Sequence, residues 1–582
     1  MAQNILKYIV WSSGIIIAAW RRHGVSPVSE PPADSAGGLR ACRNVGEGYG
    51  RARSTYVRRR PEDTVLHQVV RAHLETFLAE ARLRGGGTGL PRFVERELRE
   101  FLSCGVLARG FARFRCPDCF REMLVAFSCK GRGFCPSCGG RRMAELAAHL
   151  VDSVLGGLPV RQWVLTLPYR LRYALAWDHR LCRAVLGVFI RAVLAFERRR
   201  AVRRGVYDGA GGAVTAIQRF GSALNTNVHF HTLAAQGVFA EPPDGMLRFL
   251  PAPAPSDRDV ARVLAVVRRR IIRLIARHGI DLERPSQETE SADERLFECP
   301  VYAEIQGAAV LGRMALGARA GAPVVRIGRE RQTMDRGGND PLHAHLDGFD
   351  LLAAVAVPAG DRERLEHLCR YILRPPLAQQ RLELTADGQV VLRLRRPWRD
   401  GTRALRFTPT ELLEKLAAMI PKPRINLLVY HGVFAPHARV RPGAVRRAQV
   451  GAARDAPPVG PADDAGGPAT TTAGVNALGP TGPGGDQPAP QPGLPRPPPP
   501  AGGPRRKHYA WADLLQRTFA IDVLACPECG GRLRFLATID DAAVIDKILR
   551  HLGLPTEAPK AAAARLPETL PGVAPPADWF TD

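Results

Sequence analysis

The chain has 582 residues, and its 82 Lys and Arg against 56 Asp and Glu give a formal net charge of +26. This length allows roughly two to four domains, and such a chain with 12 cysteines is not a small scaffold held by disulfides. The basic excess favours nucleic acid as the partner, because neutralising phosphates releases counterions. A GC-rich genome, which encodes arginine freely, is the alternative source of this charge.

The first predicted segment, residues 1–60, is rich in Gly, Pro and Arg and is expected to be poorly ordered. Its apolar run at 8–20 is too short to span a bilayer, and no clear signal-peptide cleavage site follows it. No other stretch is apolar enough to cross a membrane. We therefore expect a cytosolic protein that does not associate with a membrane.

Residues 61–150 form the next predicted unit, a helical segment followed by a cysteine-rich one. Apolar side chains recur at three- and four-residue spacing from about residue 61 to residue 102, which is the helical period. Two Cys-x-x-Cys pairs follow, 15 residues apart: Cys116 with Cys119, and Cys135 with Cys138. This spacing predicts one tetrahedral four-cysteine zinc site, which is structural because four thiolates fill the coordination shell.

Two more cysteines, Cys104 and Cys129, lie close to these pairs. They are expected to be small core residues, and a role as alternative zinc ligands is the second interpretation. Basic residues flank the pairs and would give this unit a surface for DNA phosphates. The arginines predicted to do so are Arg132, Arg141 and Arg142.

Residues 151–440 mix strand and helix patterns and form the third predicted unit. The strand patterns at 213–219 and 228–239 are expected to pair as a hairpin. His229 and His231 alternate with Phe230, so both imidazoles lie on one face of the strand, about 6–7 Å apart along the chain. Two imidazoles on one face can chelate one divalent ion; two histidines without a metal are the alternative.

A metal bound to this pair needs a third protein ligand. Gln218, on the preceding strand, offers a carbonyl oxygen, and Asn225 and Asn227 are nearby alternatives. Mixed nitrogen and oxygen ligation suits Mg²⁺ or Mn²⁺, which act as Lewis acids on a phosphoryl oxygen. The sequence therefore predicts a catalytic divalent cation in addition to structural zinc.

The predicted helix 361–373 carries a tyrosine and stops before two prolines. Tyr371 lies between Arg370 and Arg374, which are predicted to contact DNA. A tyrosine hydroxyl beside cations is a candidate nucleophile for a phosphodiester. A tyrosine that is simply packed in the fold is the alternative.

The rest of the chain divides by composition. Residues 446–507 are rich in Pro, Gly and Ala and predict a disordered linker, 508–555 a small C-terminal domain, and 556–582 a tail. The pair Cys526 and Cys529 in this small domain has no second pair nearby in the sequence. It is either half of a zinc site completed by His551 or a reduced turn.

Several long motifs resemble those of the rolling-circle transposases of the insertion-sequence 91 family. The resemblance covers roughly residues 64–440 and 508–555. It rests on the order of the cysteine pairs, Gln-Arg-Phe-Gly-Ser-Ala-Leu-Asn (218–225) before His-Phe-His (229–231), Arg-Tyr-Ile-Leu-Arg-Pro-Pro (370–376), Tyr-His-Gly-Val-Phe-Ala-Pro (430–436), Cys-Pro-Glu-Cys-Gly-Gly (526–531) and Ile-Leu-Arg-His-Leu-Gly (548–553).

The resemblance implies an α/β (α+β) fold, with an N-terminal four-cysteine zinc-binding domain before a ferredoxin-like HUH endonuclease core built on an antiparallel sheet. It implies that His229 and His231 bind the metal and that Tyr371 attacks DNA. Some members carry two tyrosines four residues apart, but Pro375 and His367 occupy those positions here. The chain therefore resembles the single-tyrosine branch related to common-region elements.

These features predict a DNA transposase that nicks and rejoins single-stranded or hairpin element ends through a phosphotyrosine intermediate. The sequence has no Gly-x-x-x-x-Gly-Lys-Ser/Thr motif, so a host helicase would unwind the DNA, and oligomerisation is left open. One alternative is an HUH replication initiator or relaxase. The other is a zinc-dependent DNA-binding protein without catalysis.

Overall fold

The computed structural model describes residues 54–56, 58–241, 247–280, 299–328, 341–454 and 509–565. Most of the predicted N-terminal segment, linker and tail, and the whole apolar run at 8–20, lie outside these residues. No helix within the described ranges is long and apolar enough to cross a membrane.

The α-helices of the described ranges follow one another between the strands. In chain order they are α1 Val65–Arg84, α2 Arg92–Phe101, α3 Pro136–Leu150, α4 Tyr169–Trp177, α5 His179–Val202, α6 Asp257–Ala276, α7 Pro300–Leu311, α8 Arg362–Ile372, α9 Pro409–Met419, α10 Arg441–Arg454, α11 Trp511–Phe519 and α12 Ala542–His551.

The β-strands of the same ranges are mostly short. In chain order they are β1 Ser54–Thr55, β2 Phe111–Arg115, β3 Glu122–Ala126, β4 Val160–Thr166, β5 Gly212–Phe220, β6 Thr226–Ala235, β7 Gly237–Ala240, β8 Arg248–Pro251, β9 Val325–Ile327, β10 His343–Leu346, β11 Phe349–Leu352, β12 Ala356–Val357, β13 Leu382–Leu384, β14 Val390–Arg393, β15 Ala404–Phe407, β16 Leu428–Gly432, β17 Ile521–Asp522 and β18 Arg534–Ile539.

The largest sheet has the strand order β10-β11-β4-β6-β5-β16, and β12 also pairs with β4. All of these pairs are antiparallel. The predicted hairpin is confirmed as β5 and β6. The single strand predicted for 228–239 is interrupted after Ala235, because Gly237 has a φ of 145° and a Cβ there would lie 2.2 Å from the Leu250 carbonyl oxygen.

Strand alternation gives this sheet two different faces. On one face, Trp163, Phe230 and Ile217 pack into an apolar core with residues of α4, α5 and α6. The other face carries the two histidines and is covered by α3, α8, α10 and the π-helical turn Val151–Leu155. The histidine face is therefore enclosed by the helix that carries Tyr371.

Two smaller sheets surround this centre. The sheet β13-β14-β15-β9 packs with α1, α2, α7 and α9 around a second apolar core, and β14 and β15 pair antiparallel within it. The sheet β18-β2-β3 combines one strand from the C-terminal part with two from the cysteine-rich segment. The observed architecture is thus mixed helix and antiparallel sheet, as predicted.

Candidate active site and cysteine clusters

His229 and His231 lie side by side on β6, with ring centroids 4.8 Å apart. Burial lowers the pKa of His229 to about 4 and that of His231 to about 3, because desolvation disfavours the charged imidazolium. The positive charge of Arg374 acts in the same direction on both. Both rings are therefore neutral near pH 7, and the neutral imidazole is the form that binds a metal.

Hydrogen bonds fix the orientation of both rings. His229 Nδ1 lies 2.9 Å from the Asn227 carbonyl oxygen and donates to it, which leaves Nε2 as the acceptor. His231 Nδ1 lies 2.8 Å from the side-chain amide of Gln162. Metal binding through His231 Nε2 requires a proton on Nδ1, and the Gln162 amide then accepts it through its oxygen after a half-turn of the amide group.

The register of β5 and β6 places Gln218 directly opposite His229. Gln218 Nε2 donates to the Ile372 carbonyl oxygen at 2.6 Å, at the end of the tyrosine helix. Within the part of the chain that the structure describes, three buried atoms on this face have no hydrogen-bond partner: Gln218 Oε1, Asn227 Oδ1 and His231 Nε2. A bound cation would satisfy atoms of this kind, so the donor set fits a hard divalent metal.

No carboxylate, thiol or third imidazole joins the two histidines to form a three-ligand group in the described ranges. An amide oxygen is therefore the third protein donor available on this face. The other alternative, Asn225, lies in the turn between the strands, where its carbonyl oxygen accepts from Gly221 N at 2.9 Å.

Tyr371 lies in the last turn of α8, a helix predicted from the sequence and capped by the Asp361 carboxylate. Its ring centroid is 6.1 Å from that of His231, and the two rings are perpendicular. The Arg374 guanidinium lies over the tyrosine ring at 4.4 Å from the centroid. Tyr371 is 41% exposed, so its side chain is accessible to an external substrate.

A cleft of about 500 Å³ opens beside this site, and Gln218 forms part of its wall. Arginines from separate elements line it, and a single strand of nucleic acid could follow such a basic groove. They are Arg132, Arg142, Arg219, Arg374 and Arg441.

Two of the predicted DNA-contacting arginines do not line this cleft. Arg370 points to the C-terminal part of the chain, where it donates to the Thr518 carbonyl oxygen at 3.1 Å. Arg141 is half-buried, and desolvation lowers its pKa. The sequence correctly placed Arg370 beside Tyr371 along the helix but did not show that its side chain is engaged elsewhere.

The prediction of a single four-cysteine site from the two adjacent pairs is wrong. The structure divides the four cysteines between two clusters, each of four thiols within 4.8 Å of one another. The first cluster consists of Cys104, Cys129, Cys135 and Cys138, and the second consists of Cys116, Cys119, Cys526 and Cys529.

Local structure explains this division. Cys135 caps the start of α3 and, with Cys138, faces the core beneath α1 and α2, where Cys104 is fully buried. Cys116 and Cys119 instead form the turn between β2 and β3, next to the strand β18 of the C-terminal part. Cys104 and Cys129, expected to be core residues, are thus members of a cluster.

The sulfur separations in both clusters fit tetrahedral zinc. Zn–S bonds of about 2.3 Å place ligand sulfurs about 3.8 Å apart. In the first cluster, Cys104 Sγ is 3.6 Å from Cys135 Sγ and Cys129 Sγ is 3.6 Å from Cys138 Sγ. In the second, the Cys116–Cys529 and Cys119–Cys526 sulfurs are 3.5 Å apart, well beyond a disulfide bond.

Sequence analysis missed Gln162 as a partner of His231. The alternation of Gln162 and Thr166 with Trp163 and Leu165 carries a signal, since it predicts a more polar and an apolar face of β4. What the sequence lacks is the register of β4 on β6, which places Val164 opposite His231. His551 belongs to neither cysteine cluster.

Comparisons with known families agree with these two parts of the structure. A family model of transposases matches residues 212–441, which include the histidine pair and Tyr371. The model of the transposase zinc-binding domain of insertion sequence 91 matches residues 69–167, which include the first cysteine cluster. No curated protein and no solved structure matches the chain.

Proposed function

We propose that this chain, which the two family matches support as a transposase of the insertion-sequence 91 family, nicks and rejoins single-stranded DNA through a phosphotyrosine intermediate. The observation that carries the proposal is the position of an accessible tyrosine against a pair of neutral histidines. The ring of Tyr371 lies 6.1 Å from that of His231, whose Nε2 is buried and unpartnered within the described ranges. A tyrosine beside a pair of metal-binding imidazoles can cleave a phosphodiester through a covalent intermediate.

The residues that would hold a catalytic cation are His229, His231 and Gln218. Mg²⁺ or Mn²⁺ bound there supplies Lewis-acid polarisation of the scissile phosphate. Gln218 would act twice, since its buried Oε1 has no hydrogen-bond partner within the described ranges and could bind the cation, while its Nε2 donates to the Ile372 carbonyl at the end of α8. This hydrogen bond links β5, the strand paired with the histidine strand, to the end of the tyrosine helix.

In the proposed reaction the Tyr371 hydroxyl loses its proton to solvent and its oxygen attacks phosphorus. The new phosphotyrosine bond forms as the bond from phosphorus to the 3′ oxygen breaks, and that oxygen takes up a proton to leave as a 3′-hydroxyl. The DNA stays attached through its 5′-phosphate. Attack of a 3′-hydroxyl on the phosphotyrosine then joins the strand and restores the tyrosine.

Arg374 is the cation best placed to receive the phosphate during this reaction. Its guanidinium covers the Tyr371 ring and lies 5.7 Å from the Phe220 ring centroid, at the wall of the basic cleft. An arginine at this position can donate to the phosphoryl oxygens while an aromatic side chain supports a neighbouring base. We propose that the single strand runs through this cleft toward Tyr371.

The proposal is tested with labelled single-stranded oligonucleotides from the element's ends, incubated with the protein and Mg²⁺ or Mn²⁺. Cleavage and a covalent protein–DNA band are expected for the wild type and for Tyr207→Phe, a control at a tyrosine that is 77% exposed. Tyr371→Phe and the double variant His229→Ala/His231→Ala are expected to bind DNA without cleaving it. Cleavage by Tyr371→Phe would rule out this residue as the nucleophile.

The same assay separates the other candidate functions. A protein that binds the ends with zinc present but does not cleave them under any metal condition is a non-catalytic DNA-binding protein. A replication initiator or relaxase would form the covalent band but would not transfer the strand to an unrelated target oligonucleotide. Transfer to such a target is the outcome expected of the transposase.

A further inference from the structure

The second cysteine cluster joins two parts of the chain that are far apart in sequence. We propose that Cys116, Cys119, Cys526 and Cys529 bind a second structural zinc ion, and that this site holds the C-terminal segment, residues 509–565, against the tyrosine helix α8. Cys119 and Cys526 are 407 residues apart. Cys526 and Cys529 lie outside both family matches, so neither match assigns this site.

The two halves of the site have the same backbone geometry. In the first half, Cys116 N donates to the Arg121 carbonyl oxygen and Phe120 N donates to the Cys116 carbonyl oxygen. In the second half, Cys526 N donates to the Gly531 carbonyl oxygen and Gly530 N donates to the Cys526 carbonyl oxygen, in the same pattern.

The residue after the second cysteine of each half has a positive φ, 59° at Phe120 and 74° at Gly530. Two turns that match in this way present two pairs of thiols to each other, and four thiolates are the ligand set of a tetrahedral zinc site. The Cys135 pair lacks this geometry because Cys135 and Cys138 belong to the start of a helix.

The strands beside these turns form one sheet across the two segments. β18 pairs antiparallel with β2, with Arg534 opposite Arg115, and β2 pairs in turn with β3. Beneath the sheet, Phe114 and Val125 share a buried core with Trp511 and Leu515 of α11. The thiols are therefore brought together by an extensive interface and not by a chance contact between surface loops.

The turns also fit each other closely. A Cβ added at Gly531 would lie 2.0 Å from the Asp118 carboxylate and 3.3 Å from Cys116 Sγ, so the glycine allows the halves to meet. Arg121 forms an ion pair with Glu528 at 3.0 Å across the same junction. Both contacts link the first turn to the second.

The zinc site is connected to the tyrosine helix through α11. Arg517 donates to Glu366 on α8 at 2.7 Å and to Asp152 at 2.6 Å. In the opposite direction, Arg370 on α8 donates to the Thr518 carbonyl oxygen. A segment anchored by zinc at one end thus supports the helix that carries Tyr371.

The two zinc sites should differ in how readily they lose metal. In the first cluster Cys104, Cys135 and Cys138 are buried, whereas in the second Cys119 and Cys529 are exposed. Chelators and thiol reagents reach exposed ligands first. We expect the second site to be the labile one and the first to keep its zinc after the second has been emptied.

Zinc content of the full chain is the first test. We expect two equivalents in the wild type and in Cys182→Ala, a control at a buried cysteine outside both clusters. The double variant Cys526→Ser/Cys529→Ser should retain one equivalent. Two equivalents in that variant, or one in the wild type, would overturn the second site.

Support of the tyrosine helix is measured by hydrogen exchange of residues 362–372, which needs no DNA. Exchange should speed up by at least tenfold in Cys526→Ser/Cys529→Ser. Arg517→Ala should give faster exchange with two zinc equivalents retained, because it breaks the link to α8 without touching a ligand. Unchanged exchange in both variants would contradict the supporting role of this segment.

If the serine variant fails to fold, the time course of zinc release from the wild type to a chelator tests the same inference. One equivalent should leave in a fast phase, together with faster exchange of residues 362–372, and the second should leave slowly. A single phase releasing both equivalents would contradict the inference. Any effect on DNA cleavage rests on the proposed function. Fast release of one zinc equivalent with faster hydrogen exchange of residues 362–372, but without DNA cleavage at any stage, would refute the proposed function and leave the second zinc site standing.

Discussion

At the scale of single residues, Gln162 is the hydrogen-bond partner that fixes the orientation of the His231 ring. Its amide is the hydrogen-bond partner of Nδ1 in the described structure, and partners of this kind set the orientation and basicity of a metal-binding imidazole. We expect Gln162→Leu to weaken binding of the proposed catalytic cation by about 10-fold or more. Cleavage measured against Mn²⁺ concentration should shift its midpoint and recover at saturating metal.

The matched control is Gln68→Leu, at an exposed glutamine of α1. It should leave the Mn²⁺ midpoint unchanged. A Gln162→Leu protein with a normal midpoint would show that His231 is oriented without this amide, and a protein that never recovers activity would place Gln162 in the reaction itself.

The histidine pair also predicts a pH dependence of stability. The folded-state pKa values of about 4 and about 3 lie below the ordinary value of 6.5, because burial penalises the imidazolium. Between pH 6.5 and 4 the unfolded chain therefore binds protons that the folded chain excludes, so these groups reduce stability as pH falls. Above pH 6.5 both states are neutral at these positions and the effect disappears.

We expect the melting temperature of the zinc-loaded protein, measured without Mg²⁺ or Mn²⁺, to fall between pH 6.5 and 5.5. The fall should be smaller in His229→Asn/His231→Asn, and the difference between the two proteins isolates the pair from other titrating groups. Equal slopes for the two proteins would mean that the rings take up protons in the folded state.

At the scale of elements, one face of strand β6 packs into the apolar core and the other carries His229 and His231. Phe230 is fully buried and stacks on Phe189 of α5, with centroids 6.4 Å apart. We expect Phe230→Ala to lower the free energy of unfolding by about 3–5 kcal/mol, which combines lost burial with a new cavity. Urea denaturation would measure it, with Tyr207→Ala, at a tyrosine that is 77% exposed, as the control near zero.

Alternation along β6 made the histidine face predictable, because strand geometry is a local property of the sequence. The partners across strands were not, since Gln162 reaches His231 only through the register of β4. The cysteine clusters show the same limit more strongly. The spacing along the sequence predicts that Cys116 and Cys135 share one site. The fold instead brings Cys526 next to Cys119, although the two are 407 residues apart. No local pattern in the sequence contains that information.

At the scale of the whole molecule, the net charge of +26 does not by itself show where DNA binds, because that depends on where the arginine side chains lie. Arg142 and Arg441 line the cleft beside the proposed site, whereas Arg370 is turned toward the C-terminal segment. Each phosphate contact to a single strand adds about 0.7 to the slope of log affinity against log salt. Removing one cleft arginine should therefore flatten that slope by about this amount.

Fluorescence anisotropy with a single-stranded oligonucleotide, titrated at several salt concentrations, measures this slope. We expect Arg142→Ala and Arg441→Ala each to reduce it, and Arg370→Ala to leave it unchanged despite the equal loss of net charge. Equal effects of the three substitutions would mean that binding follows total charge and not the cleft. If only the substitutions of cleft arginines reduce the slope, the DNA strand runs through the cleft toward Tyr371.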